Sequence, residues 1–272
     1  MPIYQAVILA IVQGFTEFLP ISSSAHLALA PWLFGWADQG LTFDIALHFG
    51  TLLAVLIYFF RDIVQLVGAA FHLNTGTDPD LRDNRSLMWK IGLGTIPVGV
   101  AGLLLKHAAE TTFRNPWVIG AMLVSVGLLM AYAERIALLR KRIAHVSWFD
   151  AVTIGLAQAL AVIPGTSRSG ITITAGLFRG FDRESAARFS FLLSTPAIAA
   201  AAADAFYDLF KAGGIPAGEH PVFFIGMAVS AITGCFVIGF FLRFLRARTL
   251  SFFIAYRIVF GIIILALAFF RR

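Results

Sequence analysis

The sequence is poor in charge. Of its 272 residues only 13% are Asp, Glu, Lys or Arg, whereas soluble proteins carry about 25%. So few charges cannot cover the surface of a soluble globule, which excludes a cytosolic enzyme and a disordered protein. The net charge of +6 does not indicate a nucleic-acid binder, because the basic residues stand in short clusters between apolar runs, as in the cytoplasmic loops of membrane proteins.

Cysteine is nearly absent as well. The single residue of this type, Cys235, excludes an internal disulfide framework, and its place in an apolar run is typical of a small core residue. Apolar residues, in contrast, make up 59% of the chain. This composition predicts a polytopic membrane protein.

Six segments are long and apolar enough to cross a bilayer, which takes about 20 residues of helix. They lie near residues 42–60, 86–106, 115–134, 184–208, 219–245 and 251–270. Two other apolar stretches, 2–35 and 149–178, are each interrupted near the middle by proline and a cluster of small hydroxyl residues. Proline stops a helix and Ser or Thr caps the next one. Each stretch is therefore predicted to form a re-entrant helix–turn–helix, with a polar site around its turn.

The two interrupted stretches resemble each other. With one residue deleted, Ile11–Leu29 aligns with Leu156–Ile173, which pairs Gln13 with Gln158, Pro20 with Pro164, and Ser22-Ser23-Ser24 with Thr166-Ser167-Arg168. Each half then contains one re-entrant pair and three spans. Because three is odd, the second copy must be inverted relative to the first.

The predicted fold is therefore an all-α polytopic membrane protein with an inverted-topology repeat. It forms a single integral-membrane domain over residues 1–272, with repeats at about 1–134 and 149–272. The basic clusters in 135–148 and 243–250 are expected in the cytoplasm, which places both termini outside it.

The first interruption carries the residues of an activated nucleophile. Gln13 and Glu17 are four residues apart and share one helix face, and Ser23 and His26 share a face just after the turn. A carboxylate inside the membrane indicates function by default, and Ser beside His with a nearby carboxylate is a general nucleophilic pattern. The alternative is that the serines only cap a helix and that His26 bonds a neighbour.

The second interruption offers a cradle for an anion. It places Thr166, Ser167, Arg168 and Ser169 at a helix start, where backbone N–H groups favour anions, and a guanidinium matches phosphate oxygens in a fork. The alternative is a structural ion pair between Arg168 and Glu17. Together the two interruptions predict phosphoryl chemistry at the membrane.

Both motifs resemble those of a known family. QGFTEFLPISSSAH and PGTSRSGIT are similar to the signatures of the bacterial undecaprenyl-diphosphatase, or bacitracin-resistance, family, and the resemblance covers essentially the whole chain, including FSFLLSTP. It implies hydrolysis of undecaprenyl diphosphate to undecaprenyl phosphate and phosphate in the bacterial cytoplasmic membrane. This reaction recycles the lipid carrier for cell-wall synthesis and lowers sensitivity to bacitracin.

In the assignment that we derive from the motifs, Ser23 attacks the terminal phosphorus, His26 takes its proton, and Glu17 orients His26 or holds a divalent cation (Mg or Ca). The competing assignment makes His26 the nucleophile. Gln13 is an allowed variant of the family pattern, but it leaves one carboxylate where many relatives have two. Arg168 neutralises the phosphoryl oxygens. The expected substrate-binding residues are Gln13, Ser22, Ser24, Thr166, Ser167 and Ser169.

A rival from another class is a transporter or flippase for a phosphorylated lipid or a small anion, because broken helices around an anion site also describe carriers. A carrier has no use for a Ser–His–Glu constellation, which favours the enzyme. The expected partners are undecaprenyl diphosphate and the lipid bilayer, without nucleic acid. A homodimer is one arrangement that the sequence leaves open.

Overall fold

The structure, a computed structural model, describes residues 1–38, 40–73, 75–211 and 213–271. Arg272, the last residue of the second predicted repeat, lies outside the described residues. Within them the chain forms twelve α-helices and no named strand: α1 Ile3–Phe18, α2 Ser23–Phe34, α3 Gly40–Tyr58, α4 Phe60–Ala70, α5 Pro79–Arg82, α6 Leu87–Glu110, α7 Pro116–Ile136, α8 Trp148–Ala159, α9 Arg168–Phe178, α10 Arg183–Lys211, α11 His220–Ala247 and α12 Ser251–Phe270.

The predicted spans are confirmed as helices. Among the described residues, α6, α7, α10, α11 and α12 are each long and apolar enough to cross a membrane. The remaining predicted span, near residues 42–60, corresponds to α3, which meets α4 at a bend of 68°. The chain is therefore a multi-pass helical membrane protein.

The two interrupted stretches form the predicted helix–turn–helix pairs, α1 with α2 and α8 with α9. α1 has 16 residues and α8 has 12, fewer than the roughly 20 that a span requires. Both pairs break at the predicted prolines, because Pro20 and Pro164 lie in the segments between the helices.

The outer ends of the two pairs lie at opposite ends of α12. Near the end of α12, Arg271 donates a 2.9 Å hydrogen bond to the carbonyl of Trp32 in α2. The outer ends of α8 and α9 are joined by a 2.7 Å bond from Arg179 to Asp150, and α10, which follows α9, binds the end of α11 just before α12 begins. This arrangement supports entry of the two turns from opposite sides.

The two turns have matching backbones. Ser22 caps α2 at φ 75° and accepts from Ala25 N–H, and Ser167 caps α9 at φ 67° and accepts from Gly170 N–H. These are two of the four non-glycine residues with positive φ that the described chain contains. Such backbone costs energy and marks sites that the surrounding structure holds in place.

This match corrects the predicted alignment. The alignment from sequence placed Ser22 on Thr166, whereas the caps pair Ser22 with Ser167 and hence Ser23 with Arg168. No deletion is needed, because the two members of each matched pair are the same number of residues apart. The pairs are Gln13 with Gln158, Ser22 with Ser167, and Gly35 with Gly180, and both glycines have positive φ.

A close helix contact positions the first turn. A Cβ on Gly14 of α1 would lie 2.6 Å from Cβ of Thr233 in α11, so only glycine permits this approach. The next residue of α11, Gly234, makes room for Phe18 and for Ala54 of α3. α1 is thus fixed against α11 and α3 just before it delivers Glu17 to the turn.

Candidate functional site

The turns after Pro20 and Pro164 meet inside the molecule, which agrees with the predicted inverted repeat. Ser169 Oγ donates a 3.1 Å hydrogen bond to the carbonyl of Leu19. Arg257 of α12 bridges the turns, donating to the Pro20 carbonyl at 3.1 Å and to the Gly165 carbonyl at 2.9 Å. The beginnings of α2 and α9 therefore border one site.

Glu17 lies at the centre of this site. Its Oε2 accepts hydrogen bonds from Ser23 Oγ at 2.5 Å and from Gln13 Nε2 at 3.1 Å. Its Oε1 accepts from Arg168 Nη2 at 2.9 Å. One buried carboxylate thus joins a hydroxyl from the first turn to a guanidinium from the second.

The ion pair between Glu17 and Arg168 is the contact that the structural alternative requires, and it is present. This pair leaves part of the guanidinium available to a ligand. Only Nη2 contacts Glu17, and 21% of the Arg168 side-chain surface is exposed. Breaking a buried ion pair is costly, so a ligand that draws Arg168 away must bring its own negative charge. A phosphate does so.

His26 lies elsewhere than expected. Its Nδ1 bonds the Ser22 carbonyl at 2.7 Å, and its Nε2 bonds the Tyr256 hydroxyl at 2.7 Å. Since a carbonyl only accepts, Nδ1 carries a proton, and in the neutral ring Nε2 accepts from Tyr256. The predicted pairing of Ser23 with His26 is therefore wrong in this structure. Ser23 is the first residue of α2, directly after the Ser22 cap, and its hydroxyl bonds Glu17 of α1 instead.

The remaining predicted residues are two helix caps, Ser22 and Ser167, and the hydroxyl residues next to them. Ser22 and Ser167 are caps whose hydroxyls also contact Ser24 and Ser169, at 3.2 and 3.3 Å. Ser24 is exposed, whereas Thr166 is fully buried and its hydroxyl has no partner among the described residues. Ser24 is thus available to a ligand, and Thr166 Oγ1 lacks the hydrogen bond that a buried hydroxyl requires.

Sequence reasoning missed Tyr256 and Arg257. Both belong to α12, the span with the highest mean hydropathy, 2.5, among the candidate spans described. The signal was present, because an arginine inside so apolar a helix indicates function by default. Tyr256 left no comparable signal, since its role depends on contact with His26 across the fold.

The site offers few ligands to a divalent cation. Among the described residues, no group of three His, Cys, Asp or Glu side chains is close enough to hold a metal ion. Glu17 supplies one carboxylate, and the buried Oε1 of Gln13 lacks a partner. These two oxygens fit Mg²⁺ that is held by one carboxylate, water and the phosphates of a substrate.

A charged cavity lies elsewhere in the fold. It has a volume of about 550 Å³, and its lining includes Arg142, Asp80 of α5 and Arg246 of α11. Its arginines are each paired with carboxylates: Arg142 with Asp80, Arg183 with Glu134, Arg188 with Asp62 and Asp78, and Arg246 with Glu184. Because these charges are already compensated, size alone does not make this cavity the reactive site.

Comparison with known proteins bears on the same two motifs. The profile described as "BacA: Bacitracin resistance protein BacA" matches residues 6–263, which include both turns and the part of α12 that carries Tyr256 and Arg257. The chain belongs to this family.

Curated relatives match over 89% to 100% of their own length. A protein named "Undecaprenyl-diphosphatase" from Moorella thermoacetica is 46% identical over 273 residues, 100% of each chain. One of the same name from Thermodesulfovibrio yellowstonii is 46% identical over 99% of each chain. Another, from Myxococcus xanthus, is 43% identical over 98% of this chain and 89% of its own.

Proposed function

We propose that this chain is a membrane phosphatase that hydrolyses undecaprenyl diphosphate to undecaprenyl phosphate and inorganic phosphate. Membership of the bacitracin-resistance family and the names of the relatives support this activity. The observation that carries it is the shared carboxylate: Glu17 accepts a hydrogen bond from Ser23 and pairs with Arg168. The product is the carrier lipid that cell-wall synthesis uses again, and its recovery accounts for bacitracin resistance.

Substrate binding would activate the nucleophile. The terminal phosphate competes with Glu17 for Arg168, whose planar guanidinium suits phosphoryl oxygens. Once Arg168 turns to the phosphate, Glu17 loses its counter-charge and becomes the better acceptor for the Ser23 proton. The base is therefore released when the substrate is in place.

The chemical step then balances as follows. Ser23 Oγ forms a bond to the terminal phosphorus and gives its proton to Glu17, while the bond from that phosphorus to the bridging oxygen breaks. Undecaprenyl phosphate leaves. Glu17 passes the proton to the departing undecaprenyl phosphate and is a carboxylate again. It then takes a proton from a water molecule, whose oxygen attacks the phosphorus of the phosphoserine. The bond from phosphorus to Ser23 Oγ breaks, Oγ receives the proton from Glu17, and phosphate is released.

His26 then serves as a support for the turn. Its contacts with the Ser22 carbonyl and Tyr256, and its stacking on Phe260 at 5.0 Å between ring centroids, hold the start of α2. The competing assignment, in which His26 is the nucleophile, requires Nε2 to leave Tyr256.

A divalent cation would be held by Glu17 and by Gln13 Oε1. When bound, it would neutralise charge on the diphosphate. The roles above belong to this chain's own side chains and do not depend on the identity of the ion.

We place the chain in the bacterial cytoplasmic membrane with both termini on the outer side. The basic segments around Arg142 and Arg246 line one common cavity, so they lie at the same end of the molecule, and such segments stay in the cytoplasm. Membrane-impermeant labelling of single cysteines in a Cys235→Ala background tests this. Residue 2 should react from outside and residue 141 should not. A homodimer stays a prediction.

The activity is tested with purified protein in detergent and a prenyl diphosphate whose terminal phosphate is radiolabelled. Phosphate release is expected, and a second arm with chelator reports whether a cation is needed. Acid quenching should trap acid-stable phosphoserine. A label that survives base but not acid indicates phosphohistidine and assigns the attack to His26. Release by the wild type and by Ser125→Ala, an exposed serine of α7, is the control.

A transporter is less well supported. The hydrogen bond from Ser23 to Glu17 prepares a hydroxyl for nucleophilic attack, and transport of an anion does not need such a group. Absence of phosphate release, together with uptake of a phosphorylated lipid by vesicles, would favour the transporter.

A further inference from the structure

One charge lies inside the most apolar span. Arg257 occupies the first half of α12 and is 0% exposed. It is the largest side chain of the described residues with so little exposure. A charge at this depth is expensive and persists where it has a partner or a task.

The partners of Arg257 are backbone carbonyls of three segments. Nη1 donates to Pro20 at 3.1 Å, and Nη2 donates to Gly165 and Thr166, both at 2.9 Å. Nε reaches Leu123 of α7 at 3.4 Å. The ion pairs found among the described side chains do not include Arg257, so its charge is solvated by the two turns and by no carboxylate.

The second motif contains the space for this guanidinium. A Cβ on Gly170 would lie 2.8 Å from Arg257 Nη1. Gly170 is in the first turn of α9, where its N–H is also the one that the Ser167 cap receives. The glycine of this motif is therefore matched to an arginine far along the chain.

These bonds set the spacing of the reactive groups. Ser23 follows Pro20 by one short turn, and Arg168 follows Thr166 almost directly. Since Arg257 holds the carbonyls of both turns, it determines how far the Ser23 hydroxyl lies from the Arg168 guanidinium. It also adds a positive charge behind the site, and a charge in low dielectric acts over longer distances than one in water.

We propose that Arg257 is a positioning residue for phosphoryl transfer. It holds the two turns at the separation at which Ser23 and Arg168 act on the same phosphate, and its unbalanced charge favours the anionic substrate. This inference rests on the proposed function.

The test compares Arg257→Lys and Arg257→Met with Arg188→Lys. Arg188 is a matched control, because its side chain is only 18% exposed and binds Asp62 and Asp78 at the far end of the fold. The readouts are kcat and KM for a prenyl diphosphate and the melting temperature in detergent. Lysine keeps the charge but cannot reach carbonyls on three segments.

Arg257→Lys should lower kcat by about 100-fold, the effect of misplacing reacting groups by about 1 Å, with KM nearly unchanged. Arg257→Met should lose as much kcat and should also raise KM, because the charge is gone. Arg188→Lys should lower the melting temperature while kcat and KM of the folded protein stay near wild type. A purely structural role would not separate kcat from KM in this way.

Gly170→Ala is the second variant, in case Arg257→Met does not fold. It keeps the arginine but crowds Nη1, so kcat should fall in the folded protein. Wild-type kcat in folded Arg257→Lys and Gly170→Ala overturns the inference, as does loss of activity only in proportion to unfolding. If the wild type itself releases no phosphate, the proposed function fails instead.

Discussion

The two turns at the centre of the protein share a backbone and differ in chemistry. Each has a serine cap at positive φ that receives an N–H from the new helix. The residue after the cap is Ser23 in the first turn and Arg168 in the second. Gln13 of α1 bonds Glu17, whereas neither polar atom of Gln158, its counterpart in α8, has a partner among the described residues.

This difference teaches how one motif can provide both halves of a site. The shared backbone places two helix beginnings together, which favours anions whatever the side chains are. The side chains then divide the work: the first turn supplies a carboxylate and a hydroxyl, and the second supplies a cation. The position equivalent to Glu17 holds Val162, so neither turn is complete alone.

The largest effect is expected from the first turn. Ser23→Ala should lower kcat by at least about 10⁴-fold, because nucleophile and base act as a unit, and Glu17→Gln should do nearly the same. The rate of phosphate release by each purified variant, compared with that of Ser125→Ala, measures the loss of kcat. Turnover within tenfold of wild type in Ser23→Ala would remove Ser23 as the nucleophile.

The second turn is tested by Arg168→Lys. An ammonium keeps the charge but cannot form a fork with phosphoryl oxygens, so kcat should fall by about 100-fold, almost as far as in Arg168→Ala. Steady-state kinetics of both variants provide the measurement. If lysine restores most of the activity, Arg168 contributes only a general positive field.

His26→Ala should cost less than either. Its ring supports the first turn through the Ser22 carbonyl, and loss of one such hydrogen bond corresponds to about tenfold in rate. Tyr256→Phe should cost less again. A loss in His26→Ala as large as in Ser23→Ala would return His26 to the chemical step.

The glutamines sharpen the comparison. Gln13→Leu removes a donor to Glu17 and should lower kcat by about tenfold. Gln158→Leu removes a fully buried amide without a described partner, so it should leave kcat near wild type and raise the free energy of unfolding by about 1 kcal/mol. Kinetics and thermal unfolding of the pair provide the test, and equal kinetic losses would show that the two turns do equivalent work.

Much of this architecture is predictable from sequence. Long apolar runs determine the spans, and proline followed by hydroxyl residues determines the breaks, because these effects are local. The register of the two turns was predicted one residue off, since Pro20 and Pro164 look equivalent in sequence while the caps are what the backbone matches. The partners of Ser23 and His26 depend on where α1 and α12 pack, and no local pattern reports that.

The central claim is that both turns act on one phosphate. The direct test is the affinity for a non-hydrolysable prenyl bisphosphonate, measured by calorimetry for the wild type, Ser23→Ala, Arg168→Lys and the double variant. If both groups hold the same phosphate, the two losses of binding free energy are coupled, and their sum differs from the loss in the double variant by more than about 0.5 kcal/mol. Strictly additive losses would contradict a shared site.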